Sequence, residues 1–166
     1  RHLNQAVIAM RDELLARREV HVVHSTGNEL YDEVLQSLGA QDDSSARWDI
    51  RPYIDNMGEA LAAADLVVSR AGASSIAEIA ALAVPSVLVP YPLATGDHQT
   101  TNARFLVDAG AAELVADADL EAGGFHDLVL GLVDDPARRD AMRAAARSLA
   151  QDLASARLAD QIESVC

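Results

Sequence analysis

Residues 67–82, VVSRAGASSIAEIAAL, gather four kinds of chemically useful side chain around the start of one helix. An apolar run ends in Ser69-Arg70, a single glycine follows at Gly72, and Ser74 and Ser75 open a helix expected over 74–83. Glu78 stands about one turn in, at a position that reads as buried. The first amides of a helix lack internal partners, and the aligned dipole places about half a positive charge there. Gly72 lets a ligand approach the backbone, Ser74 or Ser75 caps the helix or offers a hydroxyl, and Arg70 adds a permanent cation. That combination suits a phosphate or diphosphate. Glu78 would repel such a group, yet it can accept from two neighbouring hydroxyls, as on a ribose. The alternative is an ordinary capping box, with Arg70 paired to Glu78. The pattern is neither a P-loop, since no lysine follows the glycine, nor G-x-G-x-x-G.

A second cluster lies in residues 90–103, PYPLATGDHQTTNA. A proline-rich strand end and Thr95-Gly96 precede Asp97, His98, Gln99 and Asn102 at another helix start. Gln99 and Asn102, three apart, share a helix face, and each amide both donates and accepts. Sugars, whose hydroxyls point several ways, suit such amides. Here the alternative is that Asp97 caps the helix and the rest is solvated surface.

Positioning these residues requires strands that alternate with helices. A helix carrying Leu3, Val7, Met10 and Leu14 leads into EVHVVHSTG, a buried strand closed by a loop. There His24-Ser25-Thr26-Gly27 reads as a turn, and His21 as facing the core or an edge. A helix with Leu30, Val34, Leu35 and Leu38 stops at Gly39, a polar loop covers 41–46, and RWDIRPY is a weaker strand ended at Pro52. NMGEALAAAD is a short helix before LVVS, and PSVLVPYP a strand bracketed by prolines. A helix over 98–109 and the strand AAELV follow. After Asp119 the chain reads as helical: 120–133, then a helix opened by Pro136 with Met142, Ala145 and Leu149 in register, then a last segment with Leu153, Leu158 and Ile162. Arg139, Arg143 and Arg147 form an i, i+4 ladder that reads as a solvated helix face, and His2 and His126 read as surface residues. Such alternation implies an α/β fold with a Rossmann-like, doubly wound parallel sheet in a single domain, 1–166. Ligands bind such sheets beyond the carboxyl ends of the strands.

Composition narrows the partners. Twenty-six acidic residues against 13 Lys and Arg leave a formal charge of −13 in 166 residues, which argues against nucleic acid and against an anionic membrane surface. The single cysteine, Cys166, permits no intrachain disulfide, so a cytoplasmic setting is expected. No apolar run approaches the ~18 residues of a membrane span. No histidine and carboxylate pair has metal-ligand spacing, and neither a metal nor a cofactor is expected. Arg1-His2 gives the first helix no cap, and the chain is therefore expected to be a fragment.

The segment SRAGASSIAEIAALAVPSVLVPYPLATGDHQTTNA resembles the donor half of glycosyltransferase family 28, the MurG-type peptidoglycan N-acetylglucosaminyltransferases. The stretches NQAV, RPYIDNMGEALAAADLVVSRAG and DAGAAELV continue the likeness, which weakens after about Asp119. The resemblance implies a GT-B fold, two Rossmann-like domains across a cleft, of which the C-terminal one holds UDP-N-acetylglucosamine. It puts Arg70 beside the uridine and diphosphate end, and Gly72, Ala73, Ser74 and Ser75 on the phosphates. Glu78 then accepts the ribose hydroxyls, Ile54 lines the uracil pocket, and His98, Gln99 and Asn102 hold the sugar.

The family's GGSxGA loop and its preceding strand would come just before RHLNQAV, so the first strand is expected to be missing. So is the N-terminal domain that binds the lipid-linked acceptor, touches the membrane and supplies the general base. The whole enzyme would be an inverting hexosyltransferase making a β1,4 link from N-acetylglucosamine to the muramoyl-pentapeptide lipid. It would sit peripherally on the cytoplasmic face of the cell membrane. This chain alone would bind donor and carry no catalytic residue. Three other readings remain open: the donor subunit of a two-chain lipid-linked sugar transferase, a UDP-sugar epimerase of similar fold, and a non-catalytic nucleotide-sugar-binding module.

Overall fold

The computed structural model describes residues 1–38, 46–93 and 97–163, with side chains as far as residue 151. The expected stop at Gly39, all of the 41–46 loop but Ala46, Thr95-Gly96, Cys166 and the side chains of Leu153, Leu158 and Ile162 lie outside the described residues. Contacts divide the chain into two compact units, residues 1–57 with 118–130 and residues 58–117 with 131–166, where the sequence reads as a single domain.

The first unit begins with helices α1 (His2–Ala9) and α2 (Arg11–Ala16), then strand β1 (Val22–Ser25), helix α3 (Tyr31–Leu38) and strand β2 (Trp48–Arg51). One continuous first helix was expected; the break falls at Met10, whose φ of −89° and ψ of 0° interrupt the helical run. Met10 and Leu14 are nonetheless buried, as their spacing requires. No side chain caps the start of α1. β1 and β2 pair in parallel, from Val22 opposite Trp48 to Ser25 opposite Arg51. β1 differs from the buried strand expected: Val23 is half exposed and His21 is exposed, because β2 is its only neighbour among the described residues. Arg47 donates to the carbonyls of Leu15 (2.7 Å), Arg17 (2.8 Å) and Val20 (3.2 Å). A cation there satisfies the last carbonyls of α2 and complements its dipole.

His24 belongs to β1 rather than to a turn and is buried. Its Nε2 lies 3.3 Å from Asn4 Oδ1, and its ring meets Trp48 edge-on at 6.0 Å. Asn4 also donates to the carbonyl of Thr26 at 3.0 Å, so one side chain of α1 fixes the end of β1. Burial pushes the His24 imidazole below its usual 6.5. The unfolded chain therefore binds a proton at a higher pH than the folded one, and stability that is intact above pH 6.5 drains away as pH falls toward the folded value. His126 acts oppositely: its bond to Glu13 at 2.9 Å raises its pKa, a contribution present below 6.5 and lost above. The expected result is that unfolding midpoints between pH 5 and 7 fall more steeply with acid in the wild type than in His24→Gln. Equal slopes would show that His24 protonates freely in the folded protein.

The second unit contains most of α4 (Met57–Ala63), then strand β3 (Val67–Ser69), helix α5 (Ala73–Leu82), strand β4 (Ser86–Leu88), helix α6 (His98–Val107) and strand β5 (Ala112–Leu114). α7 (Gly123–Asp134) passes from the first unit into the second at residue 131, and α8 (Pro136–Glu163) follows. The helix opened by Pro136 at its first position runs on without a break through the last segment. β3, β4 and β5 form a parallel sheet in that order, aligned Val67–Ser86–Ala112. β4 is central and buried along its length, as a parallel strand covered on both faces must be. α5 packs on α6 and α8 over a core that includes Ile79, Leu88, Leu106 and Ala146.

The arginine ladder is not simply a solvated face. Arg139 Nη1 donates to the carbonyls of Leu132 and Val133 near the end of α7, and Arg143 lies 3.9 Å from Asp65. Among the described residues the strands within each sheet are parallel, the connections are helical, and the architecture is the Rossmann-like class the alternation implied, in two short sheets. Among the described residues no helix is long and apolar enough to cross a membrane.

Candidate functional site

The carboxyl ends of β3 and β4 carry the residues that the two sequence clusters singled out. α5 begins at Ala73, with Gly72 as its N-cap at φ −64° and ψ 147°. The first helical bond runs from the Ile76 amide to the Gly72 carbonyl at 2.9 Å, leaving the amides of Ala73, Ser74 and Ser75 without intrahelical partners. No side chain caps this end. The expected cap by Ser74 or Ser75 is not formed, because both lie inside the helix rather than before it. A cap side chain must come from the residue flanking the helix, here a glycine that has none.

Glu78 is exposed, not buried. The buried stripe of α5 is Ile76, Ile79 and, partly, Ala80, which turns Glu78 outward. It sits four residues after Ser74 and hence on the same face of the helix. Among the described residues it has no hydrogen-bond or ion-pair partner. The anticipated alternative, a pair between Glu78 and Arg70, does not occur.

Arg70 has other partners. Its Nη1 donates to the carbonyls of Val89 and Pro90, both at 3.3 Å, and lies 2.6 Å from Asp117 Oδ1. Its guanidinium carbon stands 5.5 Å from the centre of the Tyr91 ring. Among the described residues Nε and Nη2 are left without partners. The side chain is 28% exposed, that of Asp117 only 8%.

The second cluster forms the frame around this helix start. Gln99 Oε1 accepts from two backbone amides, Ala71 (3.2 Å) and Tyr91 (2.9 Å). Asn102 Nδ2 donates to the Ala71 carbonyl at 3.3 Å. The two amides three apart on α6 thus grip a buried residue between Arg70 and Gly72 and tie the loops after β3 and β4 together. Among the described residues the Gln99 amide nitrogen and the Asn102 carbonyl oxygen are left to offer a ligand. His98 is exposed at the first position of α6. Asp97 holds the N-cap position with φ 54° but its side chain does not cap the helix. Asp, unlike most residues, tolerates this left-handed conformation. Ile54 belongs to the first unit, where it is buried.

Two residues outside the sequence reading matter here. Asp117 lies three positions beyond β5, and the rule that ligands collect at the carboxyl ends of strands could have pointed to it. Tyr91 stood inside the quoted cluster but was given no role.

A parallel α/β unit with an uncapped helix start, a neighbouring arginine and an exposed carboxylate offers groups that a phosphate and a diol can take. Comparison with known proteins specifies the family. Residues 1–162 match the glycosyltransferase family 28 C-terminal domain, and the chain belongs to that family. It is 49% identical, over 98% of its length, to the UDP-N-acetylglucosamine--N-acetylmuramyl-(pentapeptide) pyrophosphoryl-undecaprenol N-acetylglucosamine transferase of Chlorobium phaeobacteroides. The transferase of the same name from Desulforudis audaxviator is 41% identical over 98% of the chain. Among solved structures, MurG of Acinetobacter baumannii matches with a TM-score of 0.72 and 29% identity over 89% of the chain. The chain spans 43% of the Chlorobium protein, 44% of the Desulforudis protein and 41% of the Acinetobacter structure.

Proposed function

We propose that this chain is the donor-binding half of an inverting hexosyltransferase that uses UDP-N-acetylglucosamine and a lipid-linked muramoyl-pentapeptide acceptor. The observation that carries the reading is the start of α5: three amides and an Arg70 edge without partners among the described residues, two serines, and the exposed Glu78 one turn beyond Ser74. A diphosphate on the amides and on Arg70 would leave Glu78 to accept from the two ribose hydroxyls. Ile54 belongs to the first unit, and its part at the uracil is carried by the family likeness alone. His98, the Gln99 amide nitrogen and the Asn102 oxygen are the groups offered to the sugar.

In the proposed reaction the acceptor 4-hydroxyl attacks C1 of the donor sugar. The C1–O bond to the diphosphate breaks, and UDP departs with the bonding pair. Donors fixed before the reaction stabilise such a leaving group best, since they need no reorganisation as charge develops. Arg70 and the α5 amides would play that part, and the scheme uses no metal or cofactor. The general base and the lipid acceptor site would come from a domain outside this chain. The working enzyme would then lie peripherally on the cytoplasmic face of the membrane, with this acidic half turned from the lipid. By itself the chain would bind donor without turning it over.

Titration calorimetry with UDP-N-acetylglucosamine, UDP and ADP tests the reading. Uridine-selective binding is expected, weakened about 30-fold or more in Glu78→Ala, because a ribose diol loses its charged acceptor. Equal binding of ADP, or an unchanged Glu78→Ala, would overturn it.

A further inference from the structure

We propose that Asp117 is a positioning residue for the leaving diphosphate: it fixes one corner of the Arg70 guanidinium so that the opposite Nε/Nη2 edge is presented to the phosphates. The inference rests on the donor-site reading above, and it concerns a residue outside both motif clusters.

A guanidinium carries five N–H donors in a rigid plane, and the side edge formed by Nε and Nη2 matches two oxygens of one anion. In this protein Nη1 meets the Val89 and Pro90 carbonyls and the Asp117 carboxylate. Its two hydrogens are directed at the carbonyls, so the 2.6 Å approach of Asp117 Oδ1 is a charge contact rather than a third hydrogen bond. The Tyr91 ring, 5.5 Å from the guanidinium carbon, limits rotation of the plane. Three elements of one unit therefore hold the group: the end of β3, the segment after β4 and the segment after β5.

Two effects of Asp117 oppose each other. Its negative charge reduces the pull of Arg70 on a second anion. Its contact also spares a long, many-rotamer side chain from being ordered when the ligand binds. The carboxylate touches Nη1, the corner farthest from a ligand on the Nε/Nη2 edge, and is almost fully buried, so it fixes the group without occupying the edge. Positioning wins over competition on that geometry.

The test measures UDP and uridine affinity by calorimetry in the wild type, Asp117→Asn and Asp117→Glu, with the Arg70 Nε–H signal followed by NMR. Asp117→Asn keeps the shape and removes the charge. It is expected to weaken UDP about fivefold to tenfold, leave uridine unchanged and broaden the Arg70 signal. Asp117→Glu, which keeps the charge, is expected to restore part of the UDP-over-uridine ratio. In an Arg70→Ala background Asp117→Asn should change nothing further. Tighter UDP binding in Asp117→Asn, or equal loss of UDP and uridine, would overturn the proposal. Should the wild type bind neither ligand, the donor reading fails on its own. The NMR signal then decides the positioning role, an unchanged Arg70 Nε–H in Asp117→Asn overturning it.

Discussion

Gly72→Asp is expected to stabilise the protein and abolish its binding of UDP. Aspartate is among the best N-cap residues, and at the N-cap its carboxylate accepts from the second and third helical amides. In α5 those belong to Ser74 and Ser75, the same amides proposed to meet the diphosphate. The backbone at Gly72, φ −64° and ψ 147°, is open to any residue. A Cβ built there meets nothing closer than Ser75 Oγ at 3.8 Å, an ordinary contact. Neither strain nor packing therefore requires a glycine. The cap and the dipole together should add about 0.5–1 kcal/mol of stability. Against that, a fixed negative charge would stand where the ligand's own charge must go, and calorimetry should find no UDP binding at concentrations that saturate the wild type. The two readouts separate the readings first open for residues 67–82. A capping role alone predicts the gain in stability and nothing else; UDP binding that survives Gly72→Asp would remove α5 from the site.

The largest loss of stability is expected from Leu106→Ala. Leu106 is fully buried on α6, and its carbonyl accepts from the Ala111 amide at 2.9 Å where the chain turns toward β5. Truncating a buried leucine costs the transfer free energy plus the cavity left behind, about 2–5 kcal/mol. Several of its cluster neighbours are alanines, including Ala71, Ala103, Ala111 and Ala112. Such short side chains cannot swing into the void, which argues for the upper half of that range. The midpoint in a thermal melt should fall by about 7–20 °C at this chain length. Function should suffer as well. α6 carries the Gln99 and Asn102 amides that hold Ala71, and a loosened helix would release the start of α5. UDP affinity measured well below the new midpoint should drop several-fold. Unchanged affinity there would mean that the frame formed by α6 does not shape the ligand site.

Much of this was legible in the residues. The alternation of short β-branched runs with helical spacing carries the α/β class, because strand and helix periods differ and a parallel strand must return through a helix. All five strands formed close to where their apolar runs stand. The cluster RAGASS carries a helix start beside a cation, whereas the structure put Gly72 at the cap position and both serines inside the helix. Motif order along the chain carries the family, and a family match over residues 1–162 agrees with it.

What escaped the sequence was partnership across distance. Spacing along one helix made Glu78 look buried and a fit partner for Arg70, but burial depends on which stripe meets α6 and α8. The guanidinium instead found Asp117, forty-seven positions on, and the carbonyls of a neighbouring strand's end. Gln99 and Asn102 read as groups open to a sugar, whereas folding commits one half of each amide to Ala71. The residues therefore determined by themselves that a helix would begin beside a cation. Only the tertiary structure decided which way that cation points, because a long side chain is oriented by whatever charge and carbonyls the fold brings to it.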